Sequence, residues 1–336
     1  MALDIEILGR PGRDNAAFVR IDTGHSIHRL LFDCGQGCID GLPVAEVRQT
    51  EHLFFSHFHF DHVAGFDSLF RLTYDRPNPP MTVWGPPGTT EVLEHRLRGF
   101  LWNLHYDRPG EWIVHEIGQD IVSCSSYMVS EAFRLRHAHP DRPFGGAVYS
   151  GSEFDVTAIF LDHGTHSLGY IVREAPRSHI LIEPIVELGL RPGPWLQQLK
   201  DLNASGAVSP PSGPPIALED LRSRCVRVTP GESLAYLTDF SLTPQTMQQL
   251  ADRLTDVDTV VCESQYRDSH RDLAVQNHHM TARRSAELAG LAGAGRLMLI
   301  HTSDRYAPSE RLELLEEARA VFPNTNFPPG WDSEAG

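Results

Sequence analysis

No stretch of this chain restricts its fold more than Ser56-His57-Phe58-His59-Phe60-Asp61-His62. It lies where a short apolar strand, His52 to Ser56, gives way to a segment of helical spacing, Val63 to Tyr74. In that segment Val63, Phe66, Leu69, Phe70 and Tyr74 share one side. His57 and His59 are two apart, and in extended backbone side chains at i and i+2 point the same way. Both imidazoles can therefore reach one metal ion. Asp61 and His62, on the turn into the helix, can face a second ion close by. Such nitrogen and carboxylate donors suit zinc, and manganese or iron as well. A surface loop that is merely rich in histidine would not concentrate four donors at a strand-to-helix junction.

If this junction binds metal, other donors should stand at the ends of later strands. Three residues do. His163 follows Ile159-Phe160-Leu161-Asp162, Asp239 follows Leu234-Ala235-Tyr236-Leu237-Thr238, and His301 follows Leu297-Met298-Leu299-Ile300. Each alone would be an ordinary turn residue; the equivalence of the three positions makes them candidates together. His166 is an alternative to His163. His137 and His139 have no following Asp-His and read as a polar strand end.

The remaining periodicity supplies the frame. Strands are predicted at Leu3 to Leu8, Ala17 to Thr23, Arg29 to Asp33 and Met81 to Trp84, then at Asp120 to Val129, Ala132 to Arg136, Gly145 to Tyr149, Val156 to Leu161 and Gly169 to Val172. Helices are predicted at Thr90 to Leu104, Thr243 to Leu254, Ala282 to Leu291 and Ser309 to Val321, with strands at Leu234 to Thr238, Thr259 to Cys262 and Leu297 to Ile300 between them. This α/β pattern predicts two mixed sheets packed face to face with helices outside. Residues 1–336 read as a single domain, interrupted at about 173–228 by a proline-rich arm without a core of its own. Trp195 in that arm could stack on a base, but is expected to pack the arm onto the body.

Composition narrows the functional classes. The formal net charge of −15 disfavours nucleic acid overall but leaves room for a local basic patch. No run approaches a membrane span, and no basic start leads into an apolar run, so neither an anchor nor a leader is expected. Cys34, Cys38, Cys124, Cys225 and Cys262 are odd in number and scattered, which points to a reducing, cytoplasmic setting. Cys34 and Cys38 alone cannot close a tetrahedral site and read as structural.

The His-x-His-x-Asp-His motif resembles the signature of the metallo-β-lactamase superfamily, and the chain more narrowly resembles ribonuclease Z, the tRNA 3′-end processing endonuclease. Leu31-Phe32-Asp33-Cys34-Gly35, Trp84-Gly85-Pro86, His163 with Gly169-Tyr170, Tyr236-Leu237-Thr238-Asp239, His279-Met280-Thr281-Ala282, Leu190-Arg191-Pro192-Gly193-Pro194 and His301-Thr302-Ser303-Asp304-Arg305-Tyr306 carry that resemblance. Gly9-Arg10-Pro11-Gly12-Arg13-Asp14-Asn15 departs from the family's opening pattern, as do Gln36, Thr238 and Cys262.

The resemblance implies an αββα sandwich. It implies two zinc ions, one on His57, His59 and His163 and the other on Asp61, His62 and His301, with Asp239 bridging. It selects His163 over His166 and His279 over His278. Two such ions lower the pKa of a shared water and hold it for in-line attack. Asp61 and Asp239 would orient the attacking hydroxide, and His279 would act as general acid. Glu263 either orients His279 or forms a structural hydrogen bond. Arg305 either meets a phosphate, since guanidinium matches phosphate oxygens, or is a solvated arginine. Tyr306 joins it as a substrate-side candidate. The implied activity is cleavage of 3′ trailers from precursor tRNA, with a homodimer compatible. Competing readings are hydrolysis of a small ester, lactone, thioester or cyclic phosphodiester by the same fold, and a non-catalytic binding module.

Overall fold

The computed structural model describes residues 3–332 except 106, 202, 203 and 212. They form two compact units, Met1–Arg173 with Glu232–Gly336, and Glu174–Gly231.

The larger unit opens with an eight-stranded sheet whose strands lie side by side in chain order. These are β1 (Leu3–Gly9), β2 (Asn15–Asp22), β3 (Ile27–Phe32), β4 (His52–Phe54), β5 (Met81–Gly85), β6 (Glu111–Ile117), β7 (Ile121–Met128) and β8 (His137–Pro143). Pairing is antiparallel from β1 to β3, parallel from β3 to β6, and antiparallel again to β8. The pleat sorts the side chains. Ala17, Val19 and Ile21 of β2, Leu30 and Phe32 of β3 and Phe54 of β4 enter the central core, whereas Phe18, Leu31 and Leu53 enter a second core on the other face. Helices Val44–Arg48, Phe66–Thr73 and Thr89–Arg98 contribute to that outer core through Val47, Phe66, Leu69, Phe70, Leu93 and Leu97.

Strands β9 (Ala147–Ser150), β10 (Phe154–Asp162) and β11 (His166–Glu174) begin the second sheet. In the smaller unit, β12 (Arg177–Ile180) pairs with β15 (Val226–Thr229), and β13 (Ala207–Val208) with β14 (Ile216–Ala217). The chain then returns to the second sheet through β16 (Ser233–Leu237), β17 (Thr259–Glu263), β18 (Arg296–Ile300) and β19 (Thr325–Asn326). Helix Pro244–Arg253 starts at a capping box in which Thr243 and Thr246 bond each other's backbone, with Pro244 in the first turn where no amide partner is needed. Its Met247, Leu250 and Ala251 reach the central core, as do Ala286 and Ala289 of helix Ala282–Leu291. The larger unit is therefore a sandwich of two mixed sheets with helices outside.

Two local expectations change. Residues 132–136 are not a strand: Ala132 and Phe133 take left-handed φ of 53° and 55°, and Phe133 is buried in the outer core. The strand lies just beyond, so that His137 and His139 stand within edge strand β8, bonded to Glu131 and Ser126. The arm does have a core. Ile185, Leu190, Trp195, Leu199, Leu218 and Leu221 pack together, and the Arg222 guanidinium donates to the carbonyls of Gln198, Leu199 and Ala204. Trp195 belongs to this cluster, its indole donating to the Arg191 carbonyl at 3.0 Å.

Candidate metal centre

Asp61 and His62 lie in the short helix Phe60–Val63, and the other five candidate donors stand beyond the C-terminal end of a strand, where the backbone leaves the ladder and can turn a side chain outward. His57 and His59 follow β4, His163 follows β10, Asp239 follows β16 and His301 follows β18. Asp239 and His301 have φ of 53° and 50°. Left-handed backbone at non-glycine residues is unfavourable, and it persists where surrounding contacts dictate the turn.

Two four-residue groups share one carboxylate. His57, His59, His163 and Asp239 bring their donor atoms within 4.8 Å of one another, and so do Asp61, His62, Asp239 and His301. Asp239, 2% exposed, has one oxygen 3.4 Å from His62 Nε2, 3.6 Å from His163 Nε2 and 3.7 Å from His57 Nε2. Its other oxygen lies 3.4 Å from His301 Nδ1 and accepts from the Thr238 hydroxyl at 2.6 Å. The Asp61 carboxylate is 3.3 Å from His301 Nε2 and 3.4 Å from His62 Nε2.

The opposite ring nitrogens are engaged. His62 Nδ1 is 2.9 Å from an oxygen of Asp33, His57 Nδ1 is 3.0 Å from the Ser56 hydroxyl, and His163 Nδ1 is 2.8 Å from the His278 carbonyl. A histidine whose Nδ1 donates in this way presents an unprotonated Nε2 to a metal. His57 Nε2, His62 Nε2 and His301 Nδ1 are buried without a hydrogen-bond partner. An unsatisfied buried polar atom costs roughly 1–3 kcal/mol, so three beside one carboxylate ask for a cation. Burial pushes the His57 pKa down to about 2, which keeps that ring neutral. The donors and their arrangement fit divalent metal ions.

His279 stands against this cluster, its ring centroid 4.8 Å from that of His163 and 5.6 Å from that of His301. Its Nδ1 is 2.9 Å from Glu263, whose other oxygen accepts from the Phe240 amide at 2.6 Å. Burial opposes a charge on His279, but the adjacent Glu263 outweighs it and raises the pKa to about 9. Glu263 is fully buried.

Other candidates fall outside the cluster. His166 is exposed at the start of β11. His278 contributes its carbonyl, not its ring. Arg305 lies over the Tyr266 ring at 5.2 Å. Tyr306 corrects the expectation of a substrate contact: it is 3% exposed, and its hydroxyl accepts from the Arg267 amide and bonds His270 Nδ1 at 2.7 Å. With its hydroxyl so occupied, it braces the loop that carries Arg305.

Sequence reasoning missed two supports. Asp33, fully buried at φ 57°, accepts from the Ser56 amide and hydroxyl and the Tyr236 hydroxyl as well as from His62. Asn15 accepts the His301 amide at 3.1 Å. The only local signal was the placement of an acid directly after an apolar strand; Asn15 had none.

A β-lactamase superfamily domain model matches residues 28–178. Ribonuclease Z of Deinococcus radiodurans is 40% identical over 333 residues, covering 98% of each chain. Among solved structures, the metallo-beta-lactamase fold protein YhfI of Bacillus subtilis aligns with TM-score 0.56 at 12% identity, over 97% of this chain and 96% of that one. Human tRNase Z, short form, aligns with TM-score 0.51 at 16% identity, over 91% and 94%. Among the described residues no helix is long and apolar enough to cross a membrane.

Proposed function

This chain belongs to the ribonuclease Z family of the β-lactamase superfamily, and from that premise we propose that it is a dinuclear zinc endoribonuclease that removes 3′ trailers from precursor tRNA. The observation that carries the reading is the sharing of Asp239 by two sets of donors with the His279–Glu263 pair alongside. His57, His59 and His163 would hold one zinc ion and Asp61, His62 and His301 the other, with Asp239 common to both.

When bound at such a site, paired divalent ions lower the pKa of a water and offset charge on a phosphoryl oxygen. The chain's own groups supply the rest. Asp61 and Asp239 accept hydrogen bonds from the attacking water and aim it in line with the scissile bond. His279, held through Nδ1 by Glu263, has Nε2 left to donate a proton to the departing ribose oxygen. Glu263 is a positioning residue. Arg305 offers a guanidinium for a phosphate of the same strand, in exchange for its contact with Tyr266. A cytoplasmic location belongs to the same reading and is supported by five unpaired cysteines.

The test assays the purified, zinc-loaded protein side by side on precursor tRNA, a generic phosphodiester and a panel of lactones and esters. Cleavage of precursor tRNA at the trailer junction supports the proposal. Lactone or ester turnover without tRNA cleavage would replace it with a small-molecule hydrolase.

A further inference from the structure

The metal motif carries an aromatic side chain that the fold does not use. Phe58 packs against the outer core, its ring 5.1 Å from that of Phe55. Phe60 belongs to neither large core and is 75% exposed, the most exposed phenylalanine among the described residues. It opens helix Phe60–Val63, with His59 of one donor set before it and Asp61 of the other after it.

That position keeps the ring within a side chain's length of both donor sets. Consecutive Cα atoms are about 3.8 Å apart, so Phe60 is anchored one residue from each donor set. His59 is exposed and the Asp61 side chain is 41% exposed, so the centre opens to solvent on this side. His57 and His62, by contrast, are buried. An exposed phenylalanine on a protein surface is ordinary in itself. This one stands in sequence between two solvent-exposed donors of the centre, His59 and Asp61, and it offers a flat, apolar face without a hydrogen-bonding group.

We propose that Phe60 is the platform on which the nucleobase next to the scissile phosphate stacks, making it a specificity-determining residue for single-stranded RNA. The proposal rests on the ribonuclease reading. Every base has a π-face, so a phenyl platform grips the strand without selecting its sequence. It positions the nucleotide while the phosphate reaches the metal ligands, and a substrate lacking a base would forgo this contact.

The experiment compares wild type, Phe60→Ala and Phe60→Trp on precursor tRNA and on the same RNA carrying an abasic nucleotide on either side of the cleavage point. Zinc content is measured for each protein. Phe60→Ala is expected to raise KM about 5- to 10-fold, the weak end of what base–aromatic stacking contributes, with zinc retained. Phe60→Trp is expected to restore it. The abasic substitution that costs wild type a similar factor should cost Phe60→Ala almost nothing. An unchanged KM in Phe60→Ala, an equal penalty from the abasic site in both proteins, or loss of zinc would overturn the proposal. Failure of wild type to cleave precursor tRNA would instead overturn the ribonuclease reading.

Discussion

Replacing Asp33 with asparagine keeps the side chain's shape and turns one of its two acceptor oxygens into a donor. One carboxylate oxygen accepts from the Ser56 amide at 2.7 Å; the other accepts from the Ser56 hydroxyl at 2.8 Å, His62 Nδ1 at 2.9 Å and the Tyr236 hydroxyl at 2.9 Å. An asparagine that preserves the Ser56 amide bond turns its NH2 toward His62 Nδ1. Two donors would then meet, and His62 escapes by moving its proton to Nε2, the atom that faces Asp61 and Asp239. Loss of such a support typically weakens metal affinity by about 10–100-fold, or about 1.4–2.7 kcal/mol. Hydrogen bonds to a charged group contribute about 1.5–3 kcal/mol each, so the metal-free protein should lose about 2–4 kcal/mol of folding stability. Zinc affinity by chelator competition and urea unfolding of the metal-free protein measure the two effects separately. Tyr236→Phe is the control: it removes a donor without touching His62, and its zinc affinity should stay within about threefold. Wild-type affinity in Asp33→Asn would refute the reasoning, because the tautomer of His62 would then not depend on Asp33.

Asp239→Ala should lose both zinc and activity, since both donor sets include that carboxylate, whereas His279→Ala should retain zinc and lose about 10²–10⁴-fold in turnover. Elemental analysis beside the cleavage assay separates the two, and zinc loss in His279→Ala would make His279 a ligand. The smaller unit carries six acidic residues (Glu174, Glu183, Glu187, Asp201, Glu219, Asp220) and six basic ones (Arg177, Arg191, Lys200, Arg222, Arg224, Arg227), so it is neutral in a chain of net charge −15. Deleting it should abolish salt-sensitive tRNA binding and spare hydrolysis of a small phosphodiester; tRNA affinity equal to wild type across a salt titration would exclude a role in holding RNA. For His28, burial opposes charging, but hydrogen bonds to Glu51 and Glu153 outweigh it and raise the pKa. Its stabilising contribution is therefore complete below the unfolded pKa of about 6.5 and disappears as pH rises through the higher folded value. The urea midpoint of wild type should exceed that of His28→Gln more at pH 5.5 than at pH 9, and a constant difference would exclude the ion pairs as the cause.

What the sequence determined by itself was whatever chemistry is written in short range. The His57–His62 run, the apolar strands before His163, Asp239 and His301, and the Thr243-Pro244 helix start are local patterns, and period-2 and period-3.6 spacing make them legible without a fold. The tertiary structure decided which distant groups meet. Asp33 reaches Tyr236 from 203 positions away and Asn15 reaches His301 from 286, contacts set by the packing of two sheets and not by any local propensity. The parallel register of β16 and β17 put Glu263 beside Phe240 and His279. The arm was misread as coreless because its apolar residues are spread among prolines in short elements, with no period long enough to register, and only their convergence in space makes a core. Tyr306 was misread for the same reason in reverse: a tyrosine next to an arginine near the site reads as a contact for substrate, until the fold commits its hydroxyl to His270 and the Arg267 amide.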